Sequence, residues 1–323
     1  MKKILFFLLF FTLISCFKED EPSVDQVFLD WNSTYLGVDS ITNFYPLELK
    51  TALQEVKIVV DSALRDYKIF TPRDYDPSKK YPLLFCFHGY TSSAKNIMQY
   101  SKFNGIADKE GFIVVYPQGL RLNGSTHWNV GGWTLGSNVD DVKFVESLID
   151  NISTVFSIDE KRIYSTGMSN GGFMSFKLAC QLSDKIAAIA SVTGSMTPQT
   201  YDNCNPSRSL SILQIHGDSD RVVPYVGARS LFEPISNVLS YWSKFNSCSI
   251  DPILSRFDNI DLSDNSRVEE YSYVNCLDST QVSHYKVIGG GHDWFGAWGN
   301  MDINSSELIW SFVSQFDLDG KIN

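Results

Sequence analysis

The sequence predicts an α/β fold with a mostly parallel central sheet and helices on both faces. Short apolar runs rich in β-branched and aromatic residues recur along the chain, as expected for strands buried on both faces of a parallel sheet. Segments with apolar residues at helical spacing fall between these runs, and this alternation is typical of a sheet sandwiched between helices. The 323 residues, 43% of them hydrophobic and 20% charged, are enough for one large globular domain or two small ones.

The strands are predicted where apolar runs are continuous. In chain order the predicted strands are Tyr67–Phe70, Leu83–Phe87, Ile113–Tyr116, Ile163–Thr166, Ile186–Val192, Ile212–Ile215 and Tyr285–Ile288. Ligands of such folds bind at the carboxyl ends of the strands. We therefore expect the functional residues in the loops that follow these segments.

The helices are predicted from apolar stripes with a period near 3.6 residues. One stripe runs from Val142 to Ile152, after Asp140-Asp141, which can cap that helix. A second runs from Leu231 to Trp242, and a third from Ser305 to Phe312.

The first residues are predicted to be an export signal. Met1-Lys2-Lys3 is positively charged, and the apolar run Ile4–Ile14 is too short to span a bilayer. Leu13-Ile14-Ser15-Cys16 resembles the lipobox of bacterial lipoproteins, in which the cysteine carries the lipid after cleavage. A plain signal peptide with an incidental Cys16 is the alternative. We divide the chain into a signal peptide (1–15), a linker or N-terminal extension (16–50) and an enzyme domain (51–323).

Charge and the segment after Cys16 bear on location. The formal net charge of −10 argues against nucleic acid or an anionic membrane surface as a partner. Phe17-Lys18-Glu19-Asp20-Glu21 resembles a surface-export tract of lipoproteins, although a solvated linker is the alternative. We predict an exported lipoprotein of the outer membrane, exposed at the cell surface and touching the membrane only through its lipid. A periplasmic or secreted location is the alternative. The sequence does not predict an oligomeric state.

Cysteines other than Cys16 are expected to meet oxidising conditions after export. Cys248 and Cys276 flank a polar segment and are the first candidate disulfide; Cys180 and Cys204 are a second candidate pair. Cys86 lies within a predicted strand and is expected to be a buried free thiol. Their spacing fits no zinc pattern, and we predict neither a metal nor an organic cofactor.

The segment Gly167-Met168-Ser169-Asn170-Gly171 is the most informative stretch of the chain. A predicted strand precedes it and a predicted helix follows it. A serine at such a sharp turn is held in strained backbone geometry, and the flanking glycines let neighbouring backbone pass without a Cβ clash. The positive end of the following helix lies where an oxyanion would form. Ser169 is therefore the predicted nucleophile.

A serine hydroxyl needs an adjacent base, and the chain has five histidines. His292 follows the last predicted strand on the glycine-rich loop Gly289–Gly291, from which a histidine can reach a central strand, so it is the predicted base. His127 could instead line a substrate cleft. His88 is expected to shape an oxyanion loop, His216 to be structural, and His284 to lie at the surface.

The base needs a carboxylate that orients it and stabilises its protonated form. Asp220 lies deep in the loop after a predicted strand and is the predicted acid, whereas Asp218 is expected to make a local turn bond. The order Ser169, Asp220, His292 is that of α/β-hydrolases and differs from other serine-triad folds. The loop from His88 to Ser93 supplies the second oxyanion donor, so we predict the Tyr90 and Asn170 backbone N–H groups as the pair.

With these residues assembled, the chain resembles the carbohydrate esterases of family 1 and the related polyhydroxybutyrate depolymerases, a group that includes feruloyl and acetylxylan esterases. The matching motifs are Leu84–Gly89, Val139–Val142, Gly167–Gly172, His216–Tyr225 and Gly289–Trp294, which together span residues from about 60 to 316. The resemblance implies Ser169, Asp220 and His292 as the triad and pairing near Cys248 and Cys276. One departure is Phe295, where the family often has proline.

Aromatic residues near the predicted active face bear on the substrate. Trp128 and Trp294 are predicted to contact substrate by stacking on a sugar or a hydroxycinnamoyl ring, although packing of the loops is the alternative. Trp133, Phe295 and Trp298 lie nearby in the sequence. We predict hydrolysis of feruloyl or acetyl esters on plant oligo- or polysaccharides. A polyester depolymerase, a serine peptidase of the same fold and a non-catalytic glycan-binding lipoprotein are the alternatives.

Overall fold

The computed structural model describes residues 47–322. The predicted signal peptide, the lipidation site Cys16 and most of the predicted linker lie outside these residues, so the predictions made for them and the proposed division into segments stay predictions. Within residues 47–322, no helix is long and apolar enough to cross a membrane.

Ten strands of the described chain form one sheet, and four short strands form two small hairpins. The sheet strands are β1 (Ala52–Val60), β2 (Ala63–Thr71), β3 (Tyr81–Phe87), β4 (Ile113–Pro117), β7 (Ile158–Met168), β8 (Ala188–Val192), β9 (Ser211–Gly217), β10 (Ile253–Arg256), β11 (Arg267–Tyr273) and β12 (Val282–Ile288). The short strands are β5 (Arg121–Leu122), β6 (Ser125–Thr126), β13 (Phe316–Asp317) and β14 (Gly320–Lys321).

The strand order is β1-β2-β4-β3-β7-β8-β9-β12-β11-β10. The six central strands, from β4 to β12 in this order, run parallel, and two antiparallel strands flank them on each side. The predicted α/β fold with a mostly parallel sheet is thereby confirmed. Because β7, β8, β9 and β12 are parallel neighbours, the loops that follow them emerge at one edge of the sheet.

Helices cover both faces of the sheet. They are α1 (Ala94–Ser101), α2 (Phe103–Glu110), α3 (Asp141–Val155), α4 (Asn170–Gln181), α5 (Pro198–Asp202), α6 (Ile235–Phe245) and α7 (Ser305–Val313). The apolar residues of α3, α4 and α6 join one core, and those of α1, α2 and α7 join the other. Along β3, Leu83 and Phe85 face the first core and Leu84 and Cys86 the second, as the two-residue period of a strand requires.

The predicted strands match observed strands with small shifts in their ends. The run beginning at Ile186 starts as a strand only at Ala188. Strands β1, β10 and β11 were not predicted, because they carry many charged and polar residues. All four residues of β10 are exposed, so its apolar pattern is short and interrupted.

Helix α3 begins at Asp141, and the Asp140 side chain caps it by accepting a hydrogen bond of 3.0 Å from the Lys143 N–H. This agrees with the prediction. The second predicted helix is shorter than expected: α6 begins at Ile235 rather than near Leu231, which is 41% exposed. Pro234 explains the difference, because a proline disfavours helical backbone in the residue before it.

Two disulfides cross-link segments that lie 24 and 28 residues apart in the sequence. Cys180 at the end of α4 is bonded to Cys204, and Cys248 after α6 is bonded to Cys276 after β11. Both candidate disulfides that the sequence suggested are therefore present in the structure. Cys86 is a buried free thiol.

Candidate active site

Ser169 occupies the turn between β7 and α4 in an unusual backbone conformation. Its φ of 54° and ψ of −122° are strained for a residue with a side chain. The turn depends on glycine, since a Cβ at Gly167 would lie 2.6 Å from Gly171 backbone and one at Gly171 would lie 2.0 Å from the Phe87 carbonyl oxygen. The Ser169 N–H donates to the Val192 carbonyl at 2.8 Å, which anchors the turn to β8. Ser169 as a whole is half-buried.

Helix α4 begins immediately after Ser169. The N–H groups of its first turn have no acceptor within the helix, and the helix dipole places partial positive charge there. Asn170 is the first residue of this turn, and its side chain is fully buried. The Asn170 side chain accepts from the Trp128 N–H at 2.7 Å and donates to the Trp128 carbonyl at 3.1 Å. These two bonds fix the peptide that follows the nucleophile.

Asp220 lies in the loop after β9 with its carboxylate buried. One oxygen accepts from the N–H groups of Val222 and Val223 at 2.8 and 2.9 Å. The other accepts from Nδ1 of His292 at 2.8 Å. Burial by itself raises the pKa of Asp220, but the hydrogen bond and charge of His292 together with the backbone donors outweigh it and hold the pKa below its ordinary value. Asp220 is therefore an ionised acceptor.

His292 lies in the loop after β12, and its side chain is 19% exposed. Because Asp220 is ionised and cannot donate, the proton between them belongs to Nδ1 of His292, which leaves Nε2 as the nitrogen available to a substrate proton. Gly217 allows the close contact of the two loops, since a Cβ there would lie 2.2 Å from the Gly290 carbonyl oxygen. The imidazole is thus oriented as a general base needs.

Asp218 has a different role from Asp220. Its carboxylate accepts from the Gly289 N–H at 2.8 Å and forms an ion pair with Lys286 at 3.4 Å. These contacts tie the loop after β9 to the loop that carries His292. Asp218 therefore makes the expected local bond, accepting from the Ser219 hydroxyl at 3.3 Å, and also bonds across to the neighbouring loop.

The parallel sheet brings the predicted triad residues to one edge. Ser169 follows β7, Asp220 follows β9 and His292 follows β12, and these strands are linked through β8 in one continuous parallel set. The Asp220–His292 bond is present. Within residues 47–322, no hydrogen bond joins the Ser169 hydroxyl to His292. Such contacts are often long before substrate binds.

His88 follows β3 and is fully buried beside the serine turn. Its Nε2 accepts from the Gly119 N–H at 3.0 Å, and a backbone N–H can only donate. Nδ1 must therefore carry the proton, and it donates to the Gly89 carbonyl at 2.7 Å. That carbonyl shares a planar peptide with the Tyr90 N–H, so the ring also fixes the direction of the N–H. Burial lowers the pKa of His88 to about 4, which keeps it neutral.

The loop from His88 to Tyr90 lies next to the nucleophile. A Cβ at Gly89 would lie 3.5 Å from Cβ of Ser169, which is ordinary van der Waals contact. The expected oxyanion donors, the Tyr90 and Asn170 N–H groups, flank this contact in the chain. Their orientation is set by the His88 ring on one side and by the Asn170 side chain on the other.

The prediction that Trp128 contacts substrate is wrong. Its ring is fully buried, and Nε1 donates to the His88 carbonyl at 2.8 Å. The ring packs edge-on against Phe87. Trp128 instead stabilises the loop from His88 to Tyr90, because it bonds both His88 and Asn170.

The prediction that Trp294 contacts substrate is also wrong. Only 1% of Trp294 is exposed, and its Nε1 donates to the Ser306 hydroxyl at 3.0 Å. Phe295 is fully buried as well. Trp298 is 38% exposed and Trp133 is partly exposed. Of the aromatic residues that the sequence placed near the active face, these two are therefore accessible to solvent.

The three remaining histidines are structural. Both ring nitrogens of His127 have partners, the Leu120 carbonyl at 2.8 Å and the Ser137 hydroxyl at 2.7 Å. His216 is bonded to the Val223 carbonyl at 2.8 Å. The expectation that His284 lies at the surface is wrong: it is 1% exposed, because helix α6 and strand β11 cover that part of β12.

A buried charge network that the sequence reading missed holds the loop carrying Trp128. Arg65 and Asp141 form an ion pair at 2.7 Å with both side chains buried. The second oxygen of Asp141 accepts from the Asn129 N–H at 2.7 Å, and Lys177 donates to the Asn129 carbonyl at 2.6 Å. The motif Val139–Val142 contained the signal, but only as a helix cap.

The chain is similar to known proteins both in sequence and in fold. The family model described as phospholipase/carboxylesterase matches residues 139–248. A bifunctional acetylxylan esterase/xylanase of Neocallimastix patriciarum is 28% identical over 259 residues, which cover 80% of this chain and 34% of that protein. Feruloyl esterase B of Piromyces equi is 32% identical over 257 residues, which cover 76% of this chain and 44% of that protein. The chain thus spans less than half the length of these two relatives.

Among solved structures, the acetyl xylan esterase from Aspergillus awamori superposes with a TM-score of 0.59 at 15% identity. The match covers 81% of this chain and 99% of that one. At this identity the likeness concerns the fold alone.

Proposed function

We propose that this chain, which belongs to the esterase group of the α/β-hydrolases, is a serine carboxylic-ester hydrolase. The observation that carries the proposal is the bond of 2.8 Å from His292 to the buried carboxylate of Asp220, at the same sheet edge as the strained Ser169. A nucleophile on a tight turn, a base oriented by an ionised acid, and two fixed amides beside them are the parts that acyl transfer requires.

The proposed reaction runs in two halves. Nε2 of His292 takes the proton of the Ser169 hydroxyl as its oxygen attacks the ester carbonyl carbon, and the N–H groups of Tyr90 and Asn170 hold the oxyanion. His292 then gives its proton to the leaving alcohol, whose bond to the carbonyl carbon breaks as the tetrahedral intermediate collapses to the acyl-serine. Water, deprotonated by His292, hydrolyses the acyl-enzyme and restores the free serine. Asp220 stabilises the imidazolium in both halves.

The substrate class that we propose is an acylated plant oligo- or polysaccharide, with feruloyl or acetyl as the acyl group. Support comes from the names of the two relatives above, which are an acetylxylan esterase and a feruloyl esterase. Exposed apolar side chains on the loops of the sheet edge add to this, since Tyr90, Val222 and Trp298 are 36%, 62% and 38% exposed. Such side chains offer surface to an acyl group or a sugar ring.

A panel of substrates tests the acyl preference. The full chain is assayed with soluble feruloyl, acetyl and hydroxybutyryl esters and with a peptide anilide. We expect turnover of feruloyl or acetyl esters and none of the anilide. Faster turnover of hydroxybutyryl oligomers would contradict the proposed substrate and favour a depolymerase, and cleavage of the anilide would favour a peptidase.

We also propose that Cys16 carries a lipid in the mature protein and anchors it to the bacterial outer membrane at the cell surface. Support comes from the lipobox-like Leu13–Cys16 segment and the apolar run before it. Labelling with a palmitate analogue in a bacterial host is expected for the natural chain and not for the Cys16→Ala variant. Protease treatment of intact cells then tests surface exposure. Unlabelled natural chain would contradict the proposal.

A further inference from the structure

A cavity whose lining contains none of the proposed triad residues lies between helix α6 and the face of strands β11 and β12. Its volume is about 480 Å³. The floor is formed by aromatic rings, one wall by hydroxyl groups of α6, and ammonium groups lie within the lining. We call this cavity the tyrosine groove and define it by its main lining residues, which are Tyr225, Ser240, Lys244, Tyr271, Tyr273 and Lys286.

The tyrosines share one face of the sheet because of the strand register. Tyr271 pairs with His284 across β11 and β12, and Tyr273 lies two residues further along on the same face. The buried His284 orients Tyr225: its Nδ1 donates to the Gln214 carbonyl at 3.0 Å, so Nε2 accepts from the Tyr225 hydroxyl at 2.8 Å. The three tyrosines are partly exposed. The floor is thus a preformed aromatic surface.

The wall is a row of hydroxyl groups on α6. Ser236, Ser240 and Ser243 are spaced by four and three residues, so they lie on one side of the helix, and all three line the cavity. Hydroxyl groups both donate and accept hydrogen bonds. A ligand rich in hydroxyls finds complementary partners along this wall.

The groove also carries positive charge in an acidic protein whose net charge is −10. Lys244 is exposed and makes no ion pair with any residue between 47 and 322. Lys286 bridges to Asp218 at 3.4 Å and lies 5.2 Å from the centre of the Tyr225 ring. An unpaired ammonium group in the groove favours a ligand that bears a carboxylate.

We propose that the tyrosine groove is a binding site for an oligosaccharide chain that carries uronic acid substituents. Tyrosine rings stack on the apolar faces of sugars, the serine hydroxyls match sugar hydroxyls, and Lys244 meets the carboxylate. The groove adjoins the loop that carries the proposed acid, because Tyr225 lines the groove and follows Asp220 in that loop, and Lys286 binds Asp218. The proposal assumes that this sugar chain is the one that bears the ester, and in this respect it rests on the proposed function.

Binding to a de-esterified sugar chain tests the groove apart from catalysis. The full chain with Ser169→Ala is titrated calorimetrically with alkali-treated glucuronoxylan oligosaccharides and, in parallel, with neutral linear xylo-oligosaccharides. We expect saturable binding that is tighter for the acidic chains and that weakens as salt is added.

Substitutions in the groove then separate stacking from charge. Tyr271→Ala should weaken binding about three- to ten-fold, while Tyr271→Phe, which keeps the ring, should bind within about two-fold of the parent. Lys244→Gln should weaken binding of the acidic chains by about three-fold and leave the neutral chains unaffected. Lys80→Gln, at an exposed lysine just before β3, removes the same charge elsewhere and should change neither.

Three results would overturn the proposal: no saturable binding, equal affinity for acidic and neutral chains, or binding unaffected by both Tyr271→Ala and Lys244→Gln. Turnover of a small soluble ester is measured with Ser169 restored, and Tyr271→Ala should leave it unchanged. Absence of that turnover in the natural chain would refute the esterase, while the titration would still report on the groove. The two failures are therefore distinguishable.

Discussion

At the scale of single residues, the surroundings of two histidines near Ser169 give them different chemistry. His292 is partly exposed and bonded to an ionised carboxylate, so its Nε2 is the free nitrogen of a base. His88 is buried, and burial lowers its pKa to about 4. Its proton is fixed on Nδ1 by the Gly119 N–H at the other nitrogen. In the proposed mechanism the His292 ring therefore moves protons, whereas the His88 ring orients the backbone of its loop.

The acid of the triad is tested by removing its charge. Asp220→Asn keeps the shape of the side chain but no longer stabilises a positively charged His292, so kcat for a short-chain ester should fall by about three to four orders of magnitude with little change in KM. Asp218→Asn keeps an acceptor for the Gly289 N–H and should cost far less. Steady-state kinetics of both variants decide the assignment. A larger loss in Asp218→Asn would mean that the wrong aspartate has been assigned.

The role of His88 is tested by two substitutions, each of which places an amide group near the position of one ring nitrogen. His88→Asn places an amide near the Nδ1 position and keeps the donor to the Gly89 carbonyl; His88→Gln places its amide near Nε2 and loses that donor. Losing one oxyanion donor costs about 3 kcal/mol of transition-state stabilisation, so His88→Gln should lower kcat by about a hundred-fold at similar KM. His88→Asn should retain most of kcat.

Circular dichroism establishes that both His88 variants are folded before their kinetics are compared. Equal losses of kcat in the two variants, or a change confined to KM, would contradict the role of the ring in orienting the Tyr90 N–H.

At the scale of elements, the strands that are buried on both faces were predicted best from the sequence. Runs such as Leu83–Phe87 contain only apolar residues because helices cover both faces of that strand, and their pattern is unambiguous. β10 and β11 have at least one open face, so polar residues interrupt their runs. Chain order predicted Ser169, Asp220 and His292, since parallel strands present their loops at one edge. The tryptophans were misassigned because sequence position does not show whether a ring points into the core.

The start of α3 depends on the buried pair of Arg65 and Asp141. Asp141→Asn removes the charge that compensates the buried guanidinium, so the free energy of unfolding should fall by about 3 kcal/mol or more, as measured by urea denaturation. Asp140→Asn is the matched control, because asparagine also caps helices and should change stability by less than about 0.5 kcal/mol. Equal effects of the two substitutions would show that the ion pair contributes nothing beyond the cap.

At the scale of the whole molecule, buried neutral histidines make the fold sensitive to acid. Burial lowers the pKa of His88 to about 4 and that of His284 to about 3, from an ordinary value of 6.5. Burial also lowers the pKa of His216. Below pH 6.5 the unfolded chain therefore binds protons that the folded chain does not, and stability falls as the pH falls.

Urea unfolding at pH 7 and pH 5 measures this dependence. At pH 5, the lowered pKa values of His88 and His284 should each reduce the free energy of unfolding by about 2 kcal/mol. Between pH 7 and pH 5, the free energy of unfolding of the His88→Asn variant should fall by about 2 kcal/mol less than that of the natural chain, because the variant lacks one of these buried histidines. Stability that is equal or higher at pH 5 in the natural chain would contradict the burial of neutral histidines.

The central claim, that Ser169 is the nucleophile of an ester hydrolase, is tested most directly by covalent labelling. The full chain is treated with a fluorophosphonate, its intact mass is measured, and the modified peptide is sequenced, alongside turnover of an activated short-chain ester. We predict one phosphonyl group on Ser169 of the natural chain, with loss of turnover, and neither labelling nor turnover in Ser169→Ala. Labelling or turnover that persists in Ser169→Ala would contradict the account.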